Sequence, residues 1–127
     1  MVYVRKIFDH DITHQVSIDS YVFSVFFNSQ EHLQFKLFGN DILFDVQVRF
    51  PTDKRLGGDF KELCRWLGYR LGDFLIIEKL PSKIYEIRIA KPNSKNFQKL
   101  EKFFVGSQRH LIVSSLSIDP LSCMYRR

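Results

Sequence analysis

Residues 42–50 constrain the fold of this chain more than any other stretch, because their side chains alternate strictly between apolar and polar. The apolar positions are Ile42, Phe44, Val46, Val48 and Phe50, and the polar positions are Asp45, Gln47 and Arg49. Successive side chains of a strand point to opposite faces of a sheet, so this pattern predicts a half-buried β-strand. Residues 33–37 alternate in the same way, and Gly39-Asn40 supplies a turn between them. The pair predicts a β-hairpin.

The remainder of the chain is also rich in predicted strands. Strand-like runs occupy residues 3–8, 74–78, 85–89 and 111–113, and residues 16–27 form either another strand or a strand with a short helix. The chain has 13 Phe among 127 residues, which favours sheet structure because aromatic side chains pack well on a pleated surface. Residues 9–15 and 51–58 are predicted as polar connections and residues 125–127 as a frayed tail. The prediction is one mainly β (α+β) domain spanning residues 1–127.

Two short helices are predicted by their caps and spacing. Asp59 is a suitable N-cap, Glu62 completes a capping-box pattern, and Gly68 suits a left-handed C-terminal cap. A second helix is predicted to start near Asn93 or Ser94. The polar side of this helix carries Lys95 and Lys99. The first interpretation of these lysines is a solvated helix face, and the second is a surface that contacts phosphates.

Composition narrows the functional classes only modestly. The formal net charge of +5 favours an anionic partner. Cys64 and Cys123 are too few for a disulfide framework, and no Cys or His cluster indicates zinc. No signal peptide or membrane-spanning apolar run is visible, so a cytoplasmic location is expected.

Catalytic motifs are not found in the sequence. It has no glycine-rich phosphate loop, no Gly-x-Ser-x-Gly elbow and no His-Glu-x-x-His. His10 and His14 are spaced as metal ligands on a helix, but their polar context favours exposed loop residues. Glu86-Ile87-Arg88 has nuclease-like spacing but ends in an arginine, which cannot act as a base. We therefore expect no enzyme activity, metal, cofactor or small-molecule substrate.

Two alternative functions stay open at this point. One is a small metal-dependent nuclease or toxin, whose candidate carboxylates are Asp41, Asp45 and Glu86. The other is a protein-interaction β-domain whose basic charge is incidental.

The basic residues at the end of the long alternating strand are the strongest functional signal. Arg49, Lys54 and Arg55 are mixed there with Gln47, Thr52 and Asp53. Arginine and lysine can donate to guanine and aspartate can accept from cytosine, so this mixture suits base reading, although a solvated loop is an equal alternative from composition.

The order of elements between residues 35 and 89 carries a resemblance to a known family. A hairpin leads to a basic loop and a glycine-capped helix, then to Leu-Gly-Tyr-Arg-Leu-Gly-Asp-Phe at residues 67–74, and finally to a strand-turn-strand unit. This order resembles the B3 DNA-binding domain of plant transcription factors and of the recognition domains of bacterial restriction endonucleases. Phe44 and Phe50 stand where the plant proteins tend to carry Trp and Tyr, which favours the restriction-enzyme branch.

The resemblance implies a seven-stranded open pseudobarrel with two or three short helices and two arms that enter the DNA major groove. The arms correspond to residues 10–17 and 49–56. The implied base-reading residues are Asp11, Thr13, His14, Gln15, Arg49, Thr52, Asp53, Lys54 and Arg55. The implied phosphate-contacting residues are Arg5, Lys6, Gln47, Lys95 and Lys99. The chain would then be the target-recognition domain of a larger, type II-like restriction endonuclease, with duplex DNA and the nuclease part of that enzyme as partners.

Overall fold

A computed structural model describes residues 1–13, 15–50 and 54–127, with Thr13 described by its backbone alone. The strands are β1 (Val2–Lys6), β2 (Ser17–Ile18), β3 (His32–Leu37), β4 (Leu43–Arg49), β5 (Lys54–Gly58), β6 (Phe74–Lys79), β7 (Tyr85–Ala90), β8 (His110–Val113) and β9 (Cys123–Arg126). The helices are α1 (Asp9–Thr13), α2 (Phe60–Leu67) and α3 (Lys95–Glu101), and a π-helical turn spans Val22–Phe26.

The strands form one sheet in the order β2-β5-β4-β3-β7-β6-β1-β8-β9. Neighbours are antiparallel except for the parallel pair β3 and β7. The predicted mainly β class and the predicted hairpin are confirmed, the hairpin with Phe35 opposite Phe44. The predicted number of strands is wrong, because the described residues form nine strands rather than seven.

The sheet curls until side chains bridge its two edge strands, β2 and β9. The Tyr125 hydroxyl of β9 donates to the carboxylate of Asp19, the residue that follows β2. The rings of Tyr21 and Tyr125 stack with their centroids 4.1 Å apart. We call this junction, formed by Asp19, Tyr21 and Tyr125, the seam. The result is an open barrel whose edges meet through side chains.

Three predicted irregular segments contain regular structure. The expected frayed tail at 125–127 includes the end of β9, in which Tyr125 pairs with Ile112 of β8. The expected polar loop at 51–58 contains β5, where Leu56 pairs with Val48. The expected connector at 9–15 contains α1. These predictions were wrong because the sequences lack a local apolar period, and pairing or packing with distant residues supplies the structure instead.

Two hydrophobic clusters pack on opposite faces of the sheet. Inside the barrel, aromatic rings form a contiguous cluster that includes Phe27, Phe35 and Tyr85. On the outer face of β6, the Phe74 ring lies 4.7 Å from Phe97 and 4.8 Å from Phe104, measured between centroids. This outer cluster seats α3 against β1, β6 and β8. Both faces of β6 are buried, which explains its continuous apolar run.

The predicted bounds of α2 and its predicted C-terminal cap are confirmed, but the predicted side-chain cap at its N-terminus is wrong. Gly68 ends the helix in the left-handed conformation with φ 61°. The Asp59 side chain makes no capping bond; its Oδ2 accepts a hydrogen bond from the Asp45 backbone N–H at 3.1 Å. The Asp59 N–H donates to the Asp45 carbonyl at 2.9 Å, so Asp59 ties the start of α2 to β4. The helix predicted to start near Asn93 or Ser94 is α3, and Ser94 caps it, since its Oγ accepts from the Phe97 N–H.

The Leu-Gly-Asp phrase at residues 71–73 forms the turn into β6. Asp73 is buried, and its Oδ2 accepts from the Arg70 N–H at 2.9 Å and pairs with the Lys91 ammonium. Gly72 has a φ of 87°, which a residue with a Cβ rarely adopts. The motif that carries the family resemblance is therefore a structural turn rather than a binding site.

Candidate nucleic-acid interface

The described residues of the second predicted arm include the end of β4 and the start of β5, which pair as a two-stranded ribbon. Arg49 and Arg55 pair directly across the two strands and so share the outer face of the sheet. Leu56, which was included in the predicted arm, is buried in the barrel. Lys54 precedes Arg55 and therefore points to the opposite face of β5. The basic cluster of the sequence is divided between two surfaces.

The outer face of this ribbon brings residues of both predicted arms together. A Cβ on Gly57 would lie 2.8 Å from Arg49 Nε and 2.9 Å from Gln15 Nε2, so both side chains pack over this glycine. Arg49 Nη2 donates to Gln47 Oε1 at 3.3 Å. We call the group of Gln15, Gln47, Arg49 and Arg55 the ribbon face.

The ribbon face has the chemistry that base recognition requires. A guanidinium can donate two parallel hydrogen bonds to guanine O6 and N7, and a glutamine amide can pair with adenine N6 and N7. The major groove of DNA is wide enough to admit a two-stranded β-ribbon. Arg49 and Gln15 are exposed and Gln47 and Arg55 are half-buried, so the two exposed side chains are accessible as the structure stands.

Arg5 and Asp11 were predicted to contact DNA, but the structure buries both side chains. Their side chains are 0% exposed and form an ion pair of 2.7 Å between Arg5 Nη2 and Asp11 Oδ1. Asp11 Oδ2 also accepts from the Phe8 N–H at 2.9 Å, and Arg5 Nε donates to the Ser17 carbonyl at 3.0 Å. The pair thus braces the first arm near both of its ends. A sequence does not distinguish a buried charge pair from two solvated charges.

Four other predicted base-reading residues cannot be placed. His14, Thr52 and Asp53 lie outside the described residues, and only the backbone of Thr13, at the end of α1, is described.

The remaining predicted phosphate contacts lie away from the ribbon face. Lys6 ends β1, with its Nζ 5.6 Å from the Phe8 ring centroid. Lys95 and Lys99 lie on α3, which packs on the outer cluster, and Lys99 Nζ donates to the Leu116 carbonyl at 3.4 Å. The structure does not bring these lysines together with Arg49 and Arg55.

Sequence reasoning missed a groove beside the seam. It has a volume of about 560 Å³ and lies between the end of β2, the start of β5, and the neighbouring ends of β8 and β9. Its cationic side chains are Lys54, Arg109 and Arg127, and its carboxylate is Asp19. These residues are far apart in the sequence, so no local pattern signals the groove.

His110 lines this groove as a neutral side chain. Burial, with a smaller effect from the Arg5 charge, lowers the pKa of His110 to about 4. Its Nδ1 lies 2.7 Å from the Tyr3 hydroxyl, and burial raises the pKa of that phenol above its usual range. Both groups are uncharged at neutral pH.

The lowered pKa of His110 predicts a loss of stability on mild acidification. The unfolded chain takes up a proton near pH 6.5 whereas the folded chain does so only near pH 4, so stability is present above pH 6.5 and is lost as the pH falls toward 4. We expect the free energy of unfolding to drop by about 2 kcal/mol between pH 7 and pH 5 through this group. Urea denaturation at both pH values, compared with His110→Gln, isolates the effect. An equal loss in both proteins would contradict the prediction.

Two of the three carboxylates of the nuclease alternative, Asp41 and Glu86, lie beside the same lysine. Lys36 Nζ lies 3.2 Å from Glu86 and 3.8 Å from Asp41, and Asp45 is exposed on β4. Among the described residues, no three His, Cys, Asp or Glu side chains are close enough to hold a metal ion.

No helix in the described part of the chain is long and apolar enough to cross a membrane.

Comparison with known proteins identifies a similar solved structure. The N-terminal domain of Helicobacter pylori LlaJI.R1 superposes with a TM-score of 0.75, covering 90% of this chain and 98% of that one. The two chains share a fold. Their sequences are 24% identical, a level at which the likeness is evidence of the fold alone. No family model and no curated protein matches the sequence.

Proposed function

We propose that this chain is a sequence-specific duplex-DNA-binding domain of B3 type, the target-recognition part of a restriction endonuclease, without a catalytic site of its own. The observation that carries the proposal is the ribbon face, where Arg49 lies beside Gln15 and Gln47 over Gly57. The shared fold with a restriction-enzyme component supports it, as does the net charge of +5.

The two arginines of the ribbon face repel each other in water, and this repulsion is reduced when they contact base edges. Arg49 and Arg55 stand directly opposite one another, and like charges in that position destabilise a sheet. The electronegative edge of guanine in the major groove offsets this repulsion when the ribbon is bound. In this proposal Thr52 and Asp53 of the second predicted arm and Thr13 and His14 of the first also read bases. The nuclease part of the parent enzyme supplies cleavage.

A salt titration tests the electrostatic part of the proposal. If about five or six phosphates are neutralised, log affinity should fall with log salt concentration with a slope of about −5. Selection from randomised duplexes, followed by affinity measurements on the selected sequence, provides the ligand. A slope near zero would contradict DNA binding through this surface. Magnesium-dependent cleavage by the purified chain would support the nuclease alternative instead.

Gly57 provides a test of the ribbon face that leaves the fold intact. Gly57→Ala places a Cβ where Arg49 and Gln15 now pack, and both flexible side chains must move. We expect about a tenfold loss of affinity for the selected duplex, which corresponds to about one displaced bidentate contact. The free energy of unfolding should change by less than about 1 kcal/mol, because the φ of Gly57 is not left-handed.

A double-mutant cycle supplies the control for Gly57→Ala. In an Arg49→Ala background the same substitution should cause little further loss, because the displaced guanidinium is already gone. Equal losses in both backgrounds would show that Gly57 does not act through Arg49.

A separate observation favours protein interaction as a second candidate function. Phe38, Ile42 and Trp66 are 59%, 61% and 66% exposed, on the turn between β3 and β4 and on α2. Ile42 and Trp66 line one shallow pocket, and neighbouring exposed apolar side chains often mark protein contacts. Trp66→Gln should leave duplex affinity unchanged if this surface and the ribbon face act separately.

A further inference from the structure

We propose that the groove beside the seam binds a backbone phosphate of the DNA, held by Lys54, Arg109 and Arg127. This inference rests on the proposed function and assigns to the domain a second, sequence-independent contact surface.

Aromatic rings hold two of these cations in place without neutralising them. Lys54 Nζ lies 5.7 Å and 5.5 Å from the ring centroids of Phe23 and Phe50, and it donates to Ser20 Oγ at 3.2 Å. The Arg109 guanidinium carbon lies 5.1 Å from the centroid of Phe8. A cation–π contact orients a charged group while leaving its full charge available to an anion.

The carboxylate in the groove is already engaged by other donors. Asp19 Oδ1 accepts from the Val22 N–H at 2.7 Å, and its Oδ2 accepts from the Tyr125 hydroxyl across the seam. None of the ion pairs found among the described residues includes Lys54, Arg109 or Arg127.

Some basic residues elsewhere in the described chain have acidic partners. Lys36 pairs with Glu86, Arg65 with Glu62 and Lys91 with Asp73. Three cationic side chains and one carboxylate line the groove, so its described lining carries a net positive charge.

The chemistry of the groove matches a phosphodiester. Lysine and arginine side chains only donate hydrogen bonds, and phosphate oxygens only accept them. Ser20 adds a hydroxyl that can donate to a phosphate oxygen, and the neutral His110 adds no negative charge that would repel the phosphate. The opening of about 560 Å³ leaves room for a phosphate with its flanking sugars.

The position of the groove fits a DNA backbone beside the ribbon. Lys54 and Arg55 are consecutive and point to opposite faces of β5. A ribbon in the major groove then presents Arg55 toward bases on one side and Lys54 toward a flanking backbone on the other. The groove also begins at Ser17, where the first arm ends.

Matched arginine variants test the proposal. The double variant Arg109→Gln with Arg127→Gln should weaken binding about tenfold for selected and random duplexes alike, and it should reduce the salt slope by about one. Arg127→Gln alone should give a smaller loss of the same kind. It keeps the Arg109–Phe8 contact, so its loss of affinity is not caused by misfolding from the removal of that contact. Arg126→Gln is the control, since Arg126 is exposed, adjacent and not in the groove, and it should leave the slope unchanged.

Neutral methylphosphonates placed one at a time along the selected duplex locate the contact. One position should cost the wild type about tenfold and cost the double variant nothing further, because the contact is already lost. If the wild type binds but the double variant keeps its slope and its sensitivity at every position, the groove proposal is overturned while the proposed function stands. If the wild type binds no duplex, the proposed function itself fails.

Titration with inorganic phosphate, followed by NMR, separates the two sources of phosphate. Weak binding of the free ion, together with the loss of duplex affinity in the double variant, supports the backbone assignment. Binding of inorganic phosphate in the groove with no change in duplex affinity would overturn it.

Discussion

Asp11→Asn is expected to lower the free energy of unfolding by about 3–5 kcal/mol, the usual cost of removing one partner of a buried ion pair. Arg5 would keep its charge in a site that is 0% exposed and would lose its 2.7 Å carboxylate contact. Because the pair also binds Phe8 and Ser17, the first arm should loosen and duplex affinity should fall with stability. Urea denaturation and duplex titration measure the two effects.

Glu62→Gln is the matched control for this prediction. Glu62 also contacts an arginine, Arg65 at 3.3 Å, but both side chains are at least half exposed. Its loss should cost less than about 1 kcal/mol, because exposed ion pairs contribute little. Replacing both members of the buried pair, with Arg5→Met and Asp11→Leu together, should restore much of the stability. A cost for Asp11→Asn no larger than that for Glu62→Gln would show that the pair is not essential to the fold.

Arg49→Ala and Arg55→Ala are each expected to reduce discrimination between the selected duplex and random DNA by about 10- to 100-fold, the equivalent of about 1–3 kcal/mol per bidentate base contact. Each change should relax the sequence preference at one or two positions, because an arginine fork contacts a single guanine. Competition between selected and scrambled duplexes measures the ratio directly.

Lys99→Ala provides the comparison for these arginines. Lys99 lies on α3, on the outer cluster, and its Nζ contacts the Leu116 carbonyl. Its removal should weaken selected and random DNA alike, or neither, and should lower the salt slope by no more than about one. An unchanged ratio in both arginine variants would mean that the ribbon face is not the reading surface, and the proposed function would lose its main support.

Local sequence patterns predicted the elements whose structure depends on near neighbours. The alternation in residues 42–50 and the Gly39-Asn40 turn identified the hairpin, whose strands in the structure are His32–Leu37 and Leu43–Arg49. Gly68 identified the end of α2, because a left-handed φ is a local requirement, and the start of α3 was predicted near Asn93 or Ser94. Such features can be recognised without knowledge of the tertiary fold.

Pairing between distant residues produced the strands that the sequence did not predict. Residues 54–58 have only Leu56 as an inward apolar anchor, and β9 has little apolar period, so each is a strand because a partner strand binds it. The same long-range pairing separates Lys54 from Arg55, two residues that composition had grouped in one basic loop.

The sequence by itself determined a mainly β chain with a polar, basic hairpin end, because binary patterns and turn residues act over a few positions. Only the tertiary structure decided which charges are accessible. Arg5 and Asp11 are buried because β1 and the first arm meet inside the fold, and Lys54, Arg109 and Arg127 share a groove because the curled sheet brings its edges together. The environment of a charge depends on residues distant in the chain, so it is decided where the elements pack.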